Sequence, residues 1–193
     1  MRNPEFNKEQ VLRAAIKAFV CKGYNKTSMQ DLKQATGLHP GSIYCAFGNK
    51  QGLLIAALEQ YNQDSSAKFI QLVSGHNSVL AGLKKYIENT VSECSLDGAE
   101  KACFSQQVLS DLSHPDPIVE EVIATNVEQW KNGFTNLFEQ ALDANEIDNS
   151  RTPLQRTQSV VMGIYGLRTY AHSHPSSDVL KELAQQLFED VCR

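Results

Sequence analysis

Residues 28–50 read SMQDLKQATGLHPGSIYCAFGNK, and the turn residues in this stretch decide the fold. Thr27 or Ser28 can cap a short helix in which Asp31 sits near the positive end of the helix dipole. Met29 and Leu32 face inward on that helix, and Gly37 ends it, because a tight turn needs a residue at ease with positive φ. Pro40 fits the first turn of the next helix, which continues through Gly41, Ser42, Ile43 and Tyr44 to Phe47. Two short helices joined through a glycine turn describe a helix-turn-helix. Leu32, Leu38, Ile43 and Phe47 supply the side that locks in place, and His39, Pro40, Ser42 and Tyr44 are left on the other.

Upstream, a first helix is expected from about Lys8 to Lys22, with Asn7 as N-cap and Gln10 three residues later in a capping-box arrangement. Leu12, Ala15, Ile16, Phe19 and Val20 form its apolar stripe, Gly23 suits a left-handed C-terminal residue, and Tyr24 can fold back onto the stripe. Downstream, Asn49 caps a long fourth helix through Leu53, Leu54, Ala57, Leu58, Tyr61, Phe69 and Leu72. Apolar residues recur at three- and four-residue steps to the end of the chain, and no window alternates as a half-buried strand would. Breaks fall near Ser74-Gly75, Asp97-Gly98, His114 to Pro117, Asp148 to Pro153 and Ser173 to Ser177. The expected fold is all-α with about nine helices. A three-helix module over residues 1–48 is followed by a helical body over residues 49–193.

A chain of 193 residues with 41% hydrophobic content can bury a sizeable core. No run approaches the roughly 20 apolar residues of a membrane span, and the first ten residues lack the apolar segment of a signal peptide, so a cytoplasmic protein without membrane partners is expected. The five cysteines are odd in number and irregular in spacing, and the five histidines are scattered. Reduced thiols and no metal site follow. No phosphate-binding glycine loop or nucleophile elbow is present, so neither a cofactor nor catalysis is expected.

The net charge of −4 is divided unevenly. Residues 1–50 hold eight Lys/Arg against three acids, and the remainder holds 10 bases against 19 acids. That split suggests a basic head that meets a polyanion and an acidic body that does not.

Residues 28–50, with AAIKAFVCKGYNKTS just before them, resemble the helix-turn-helix of the tetracycline-repressor family. The matching pieces are Phe19, Gly23, Tyr24, Thr27-Ser28, Thr36-Gly37-Leu38, Gly41-Ser42-Ile43-Tyr44, Phe47 and Lys50. They cover roughly the first 60 residues, and the body matches only in length and helix layout. The resemblance implies a one-component transcriptional regulator, a homodimer whose two heads meet successive major grooves of a palindromic operator about 34 Å apart. It also implies repression relieved by a small-molecule effector. Carried over residue by residue, Thr27 or Ser28, Ser42, Tyr44 and Lys50 are implied DNA contacts. Tyr44 and Lys50 would grip phosphates, His39, Pro40 and Ser42 would lie near bases, and Lys33 would add to the backbone grip. Cys45 and Ala46 depart from the family, in which a ring or histidine often follows the tyrosine; Lys33 stands where a small residue is common.

The body is rich in rings, and Gln107, Trp130, Phe134 and Tyr165 are the candidate ligand-binding residues, since small-molecule sites combine apolar walls with a few polar groups. The last two helices, about 153–173 and 177–191, are apolar on more than one face. Gly163 and Gly166 permit close approach of another helix, either in the four-helix dimer interface that the resemblance implies or, alternatively, in an intramolecular bundle. Cys103 is a candidate redox-sensing thiol, placed by sequence in the first turn of a helix opening near Gly98, with Lys101 close by. Core packing beside Phe104 is the alternative for it. An enzyme reading would need Cys103, His114 and Asp116 to meet at hydrogen-bond distance.

Overall fold

The structure, a computed structural model, describes residues 6–95 and 103–193. Among the described residues it is helical throughout: α1 (Lys8–Lys22), α2 (Met29–Thr36), α3 (Pro40–Phe47), α4 (Lys50–Val73), α5 (Val79–Cys94), α6 (Phe104–Asp111), α7 (Pro117–Asp143), α8 (Pro153–Ala171) and α9 (Ser177–Cys192). No helix among them is long and apolar enough to cross a membrane. The chain divides into two compact units. The first takes the described residues of Met1–Ser65 and Ala102–Asn126, and the second those of Ser66–Lys101 and Val127–Arg193. The first unit thus includes α4 up to Ser65 and also α6, which packs on α1.

In the first unit the helix ends follow local chemistry. Asn7 Oδ1 accepts from the Gln10 amide at 3.1 Å and opens α1. Ser28, not Thr27, caps α2, and Ser28 and Asp31 form a reciprocal capping box. Gly37 takes the left-handed conformation, φ 73°, and its N–H donates to the Lys33 carbonyl at 2.9 Å. Asn49 accepts from the Gly52 amide at 2.8 Å at the start of α4. Leu12, Ala15, Phe19, Leu32, Ile43, Leu53, Leu54, Leu58, Phe104, Val108 and Val119 are buried. An eight-residue helix such as α2 or α3 is unstable alone, so burying Leu32 and Ile43, worth roughly 1.5–3 kcal/mol each, is what holds the pair.

The second unit packs α5, α8 and α9 against one another, with the 127–143 part of α7 completing its core. Leu83, Ile87, Phe134, Phe138, Val160, Ile164 and Leu167 are at its centre. The close approach read into Gly163 is intramolecular: a Cβ there would lie 2.3 Å from Leu187 Cδ1 of α9. Gly166 has nothing within 4 Å of such a Cβ. Polar ties reinforce the packing. Arg156 of α8 is fully buried and donates to the Val191 carbonyl at 2.7 Å, the Arg193 carbonyl and Asp148. Glu93 of α5 joins Lys68 near the end of α4 to Arg168 of α8, the latter at 2.5 Å.

Burial by itself pushes the Glu93 carboxyl up, but hydrogen bonds and charge from Lys68 and Arg168 together outweigh it and hold the carboxyl below its ordinary value of 4.5. A carboxylate whose pKa is depressed by folding stabilises the protein fully above its unfolded pKa, and that stability is lost as pH falls through the folded value. Glu93→Gln is therefore expected to cost about 2 kcal/mol at neutral pH, since breaking a partly buried ion pair lies below the 3–5 kcal/mol of a fully buried one. Thermal unfolding checks it: the difference in midpoint between wild type and variant should shrink as pH is lowered below about 4.5. A difference that persists at low pH overturns the ionic role.

Candidate nucleic-acid interface

The head is set by the turn between α1 and α2. Gly23 adopts φ 81° and its N–H donates to the Phe19 carbonyl at 2.8 Å. Thr27 is buried, and its hydroxyl donates back to the Gly23 carbonyl at 2.7 Å. A buried, inward-bonded hydroxyl is unavailable to a partner, so Thr27 holds the turn while the exposed neighbour Ser28 carries the cap. Between α2 and α3, Thr36 Oγ1 donates to the Leu32 carbonyl at 2.6 Å and accepts from the Leu38 amide at 3.2 Å. Pro40 then starts α3 with no donor to satisfy.

Because α3 is only eight residues long, burying Ile43 leaves most of its circumference open. His39, Gly41, Ser42, Tyr44, Cys45 and Ala46 are exposed and Pro40 partly so. Tyr44 keeps 49% of its surface in solvent, which is unusual for a ring that size. A Cβ on Gly41 would meet nothing within 4 Å, so nothing inside the chain requires a glycine there. The open face thus carries no Lys, Arg, Asp or Glu, and Ser42 and Tyr44 give it hydroxyls able to donate hydrogen bonds.

Charge surrounds this face unevenly. Lys22 pairs with Asp31 at 2.5 Å, and Arg13 pairs with Asp64 at 2.7 Å and Glu9 at 3.2 Å. Hydrogen bonds from Lys22 and from Ser28 hold the Asp31 carboxyl well below the usual range. Lys26 and Lys33 make no ion pair among the described residues, and Lys33 is half-buried. Lys50 at the start of α4 lies with its Nζ 4.5 Å from the Tyr24 ring centroid and 3.5 Å from the Asn25 carbonyl oxygen. Burial lowers its pKa, and the charge of Asp31 opposes that.

The candidate ligand residues separate. Trp130, Phe134 and Tyr165 belong to the second unit, where Phe134 is fully buried among the edges of Phe69, Tyr86 and Trp130, at 5.1–5.3 Å between ring centroids. Tyr165 stands 5.5 Å from Trp130, whose Nε1 donates to the Tyr86 hydroxyl at 3.0 Å. Gln107 belongs to the first unit and donates to the Val20 carbonyl at 2.7 Å, while its buried Oε1 has no partner among the described residues. Two cavities in the second unit have other walls. One of about 610 Å³ is bordered by Arg151, Ser159 and Asp190, the other of about 510 Å³ by Lys84, Glu88, Lys181 and Phe188.

Cys103 is the N-cap residue of α6 and partly exposed, one position before the helix and not in its first turn. Gly98 and Lys101, the expected helix opening and charge neighbour, lie outside the described residues. Asp116 is engaged with Gln51 at 2.6 Å and with the Ile118 and Val119 amides, which leaves the supposed thiol-histidine-carboxylate set without its orienting group. No group of three or more potential metal ligands occurs among the described residues.

Residues 11–57 match the profile described as "Bacterial regulatory proteins, tetR family". The uncharacterized HTH-type transcriptional regulator YezE of Bacillus subtilis is 26% identical over 79% of this chain and 79% of its own. The HTH-type transcriptional repressor ComR of Escherichia coli is 33% identical over 58% of this chain and 53% of its own. In fold, the chain is similar to a cysteine mutant of the TetR family regulator CifR complexed with 26-bp double-strand operator DNA. The TM-score is 0.82 at 19% identity, over 97% of this chain and 98% of that one. These likenesses give residues 11–57 the helix-turn-helix of the tetR family of bacterial regulatory proteins, and the chain is a DNA-binding transcriptional regulator of that type.

Proposed function

We propose that the protein is a cytoplasmic repressor that binds a palindromic operator as a homodimer and is released by a small-molecule effector. One observation carries the reading: an exposed, uncharged face on α3, with Ile43 buried opposite it and Lys50 held beside it. Residues 1–48 form the DNA-binding domain and residues 49–193 the effector and dimerisation domain. His39, Pro40 and Ser42 approach base edges in a major groove; Tyr44, Lys50, Lys33 and the Ser28 end of α2 meet phosphates. Thr27 contributes by holding the turn.

The dimer reading is supported by one side of α8, where Met162, Gly166 and Tyr170 are exposed at four-residue steps. Val179 and Leu183 of α9 are also exposed. Such a stripe on a helix pair matches the self-complementary patch of a two-fold dimer. The effector reading is supported by the ring cluster of Trp130, Phe134 and Tyr165 in the second unit. An effector acts only if it binds the released state more tightly than the DNA-bound one, and α4, whose residues belong to both units, carries that difference. Cys103 is the candidate oxidant-responsive thiol, through a change at the α6 N-cap.

Three outcomes follow. Tyr44→Ala with Lys50→Ala should abolish salt-dependent retention on the DNA upstream of the protein's own gene, measured at about 50 and 200 mM salt; wild-type protein that fails to bind both that DNA and a random-sequence pool sinks the reading. Met162→Lys should shift the protein from dimer to monomer in sedimentation, and a dimer that persists moves the interface elsewhere. Trp130 is the sole tryptophan. An effector that releases DNA should therefore change its emission, and release with unchanged emission places the effector site away from the ring cluster.

A further inference from the structure

The stretch from Gln107 to Asp116 belongs to the same unit as the head and reaches it repeatedly. Gln107 Nε2 donates to the Val20 carbonyl near the end of α1 at 2.7 Å. Asp111 Oδ2 accepts from the Tyr24 backbone amide at 3.1 Å. Asn25 Nδ2 donates to the Asp111 carbonyl and to Ser113 Oγ, the latter at 2.8 Å. Gln51, next to Lys50, donates to Asp116 Oδ2 at 2.6 Å. The fit is close: a Cβ on Gly23 would come within 2.8 Å of Asp111 Oδ2.

The two residues fixed in this way, Tyr24 and Asn25, are the two that border Lys50. The Lys50 ammonium stands over the Tyr24 ring and faces the Asn25 carbonyl oxygen. A lysine stem has many rotamers, and a phosphate contact made from an ordered one forfeits less entropy on binding.

We infer that Asp111 and Asn25 are positioning residues for DNA binding, which preset the Lys50 ammonium by fixing the Tyr24–Asn25 turn against the end of α6. The inference rests on the proposed phosphate contact of Lys50. It makes the DNA affinity of the head depend on a carboxylate that itself touches no DNA.

The sign of the effect separates this from ordinary electrostatics. Asp111→Ala removes a negative charge from the head, and long-range attraction alone would then tighten binding to a polyanion. The clamp requires the reverse. With full-length protein and a random-sequence duplex, followed by fluorescence anisotropy over a salt series, Asp111→Ala should weaken binding about five- to tenfold, the size of one lost hydrogen bond to a fixed group. It should also reduce the slope of log affinity against log salt by roughly one per head, as loss of one phosphate contact does. Asp111→Asn keeps an oxygen to accept from the Tyr24 amide and should restore at least wild-type binding. In combination with Lys50→Ala, Asp111→Ala should add nothing further, because both remove one contact.

Additive effects, or an Asp111→Ala protein that binds as tightly as wild type or tighter, overturn the clamp. If Asp111→Ala does not fold, judged by its thermal transition, Asn25→Ala is read the same way. A Lys50→Ala protein with unaltered affinity and salt slope overturns the phosphate contact itself and the clamp with it, whereas an altered slope with additive Asp111 leaves the contact standing and removes only the clamp.

Discussion

The buried ring of Phe19 is the constraint on which the head depends. It is almost wholly buried, and it lies 5.6 Å from the Tyr24 ring and 6.3 Å from that of Phe104, onto which Tyr61 also packs at 5.7 Å. One aromatic side chain thereby brings together the end of α1, the turn after it, α6 and α4. Aromatic pairs add roughly 0.5–1.5 kcal/mol each to the area they bury, and removal of such a ring costs about 3–5 kcal/mol. The short helices α2 and α3 bury one large residue each, Leu32 and Ile43, and cannot define their own orientation. They take it from the platform that Phe19 organises.

The second unit solves a different problem. Its apolar core is larger, and its helix ends are fixed by charged groups turned onto backbone. Glu146 accepts from the Val79 and Leu80 amides at the start of α5, at 3.0 and 2.9 Å. Those bonds, the Leu80 amide foremost, lower the Glu146 pKa. Arg156 does the opposite at the other polarity, giving its donors to carbonyls at the end of α9. A buried charge such as that of Arg156 confers little net stability against an apolar replacement, but it penalises every arrangement that leaves the charge unpaired. Its effect is to fix the packing of α5, α8 and α9.

What the sequence shows and what it hides divide along the range of the interactions. The bounds of α1, the left-handed Gly37, Pro40 at the start of α3 and the Asn49 cap are all legible because each rests on residues within four positions of one another. Leu32 and Ile43 are legible through period. The inward turn of Thr27 is not, because Thr27 and Ser28 are equal as cap candidates until the Gly23 carbonyl is in place. The bonds that tie Asp111, Asn25 and Asp116 to distant segments carry no signal: they join positions 65 to 88 residues apart and leave no periodic trace. Gly163 is half legible for a related reason. A small residue announces that something comes close, and the sequence does not say whether that is Leu187 of the same chain or a second chain.

Folding alone does not explain the exposed face of α3. A glycine inside a helix costs about 1 kcal/mol relative to alanine, and Gly41 has no neighbour that an alanine would disturb. Tyr44 leaves half a ring in water, and Lys50 is drawn from solvent far enough to lower its pKa. Each departs from what stability alone would select, and all three border one short helix. A natural sequence that is locally consistent elsewhere breaks such rules where a partner makes up the difference. For a polar ridge flanked by the Lys50 ammonium, the proposed operator DNA is such a partner.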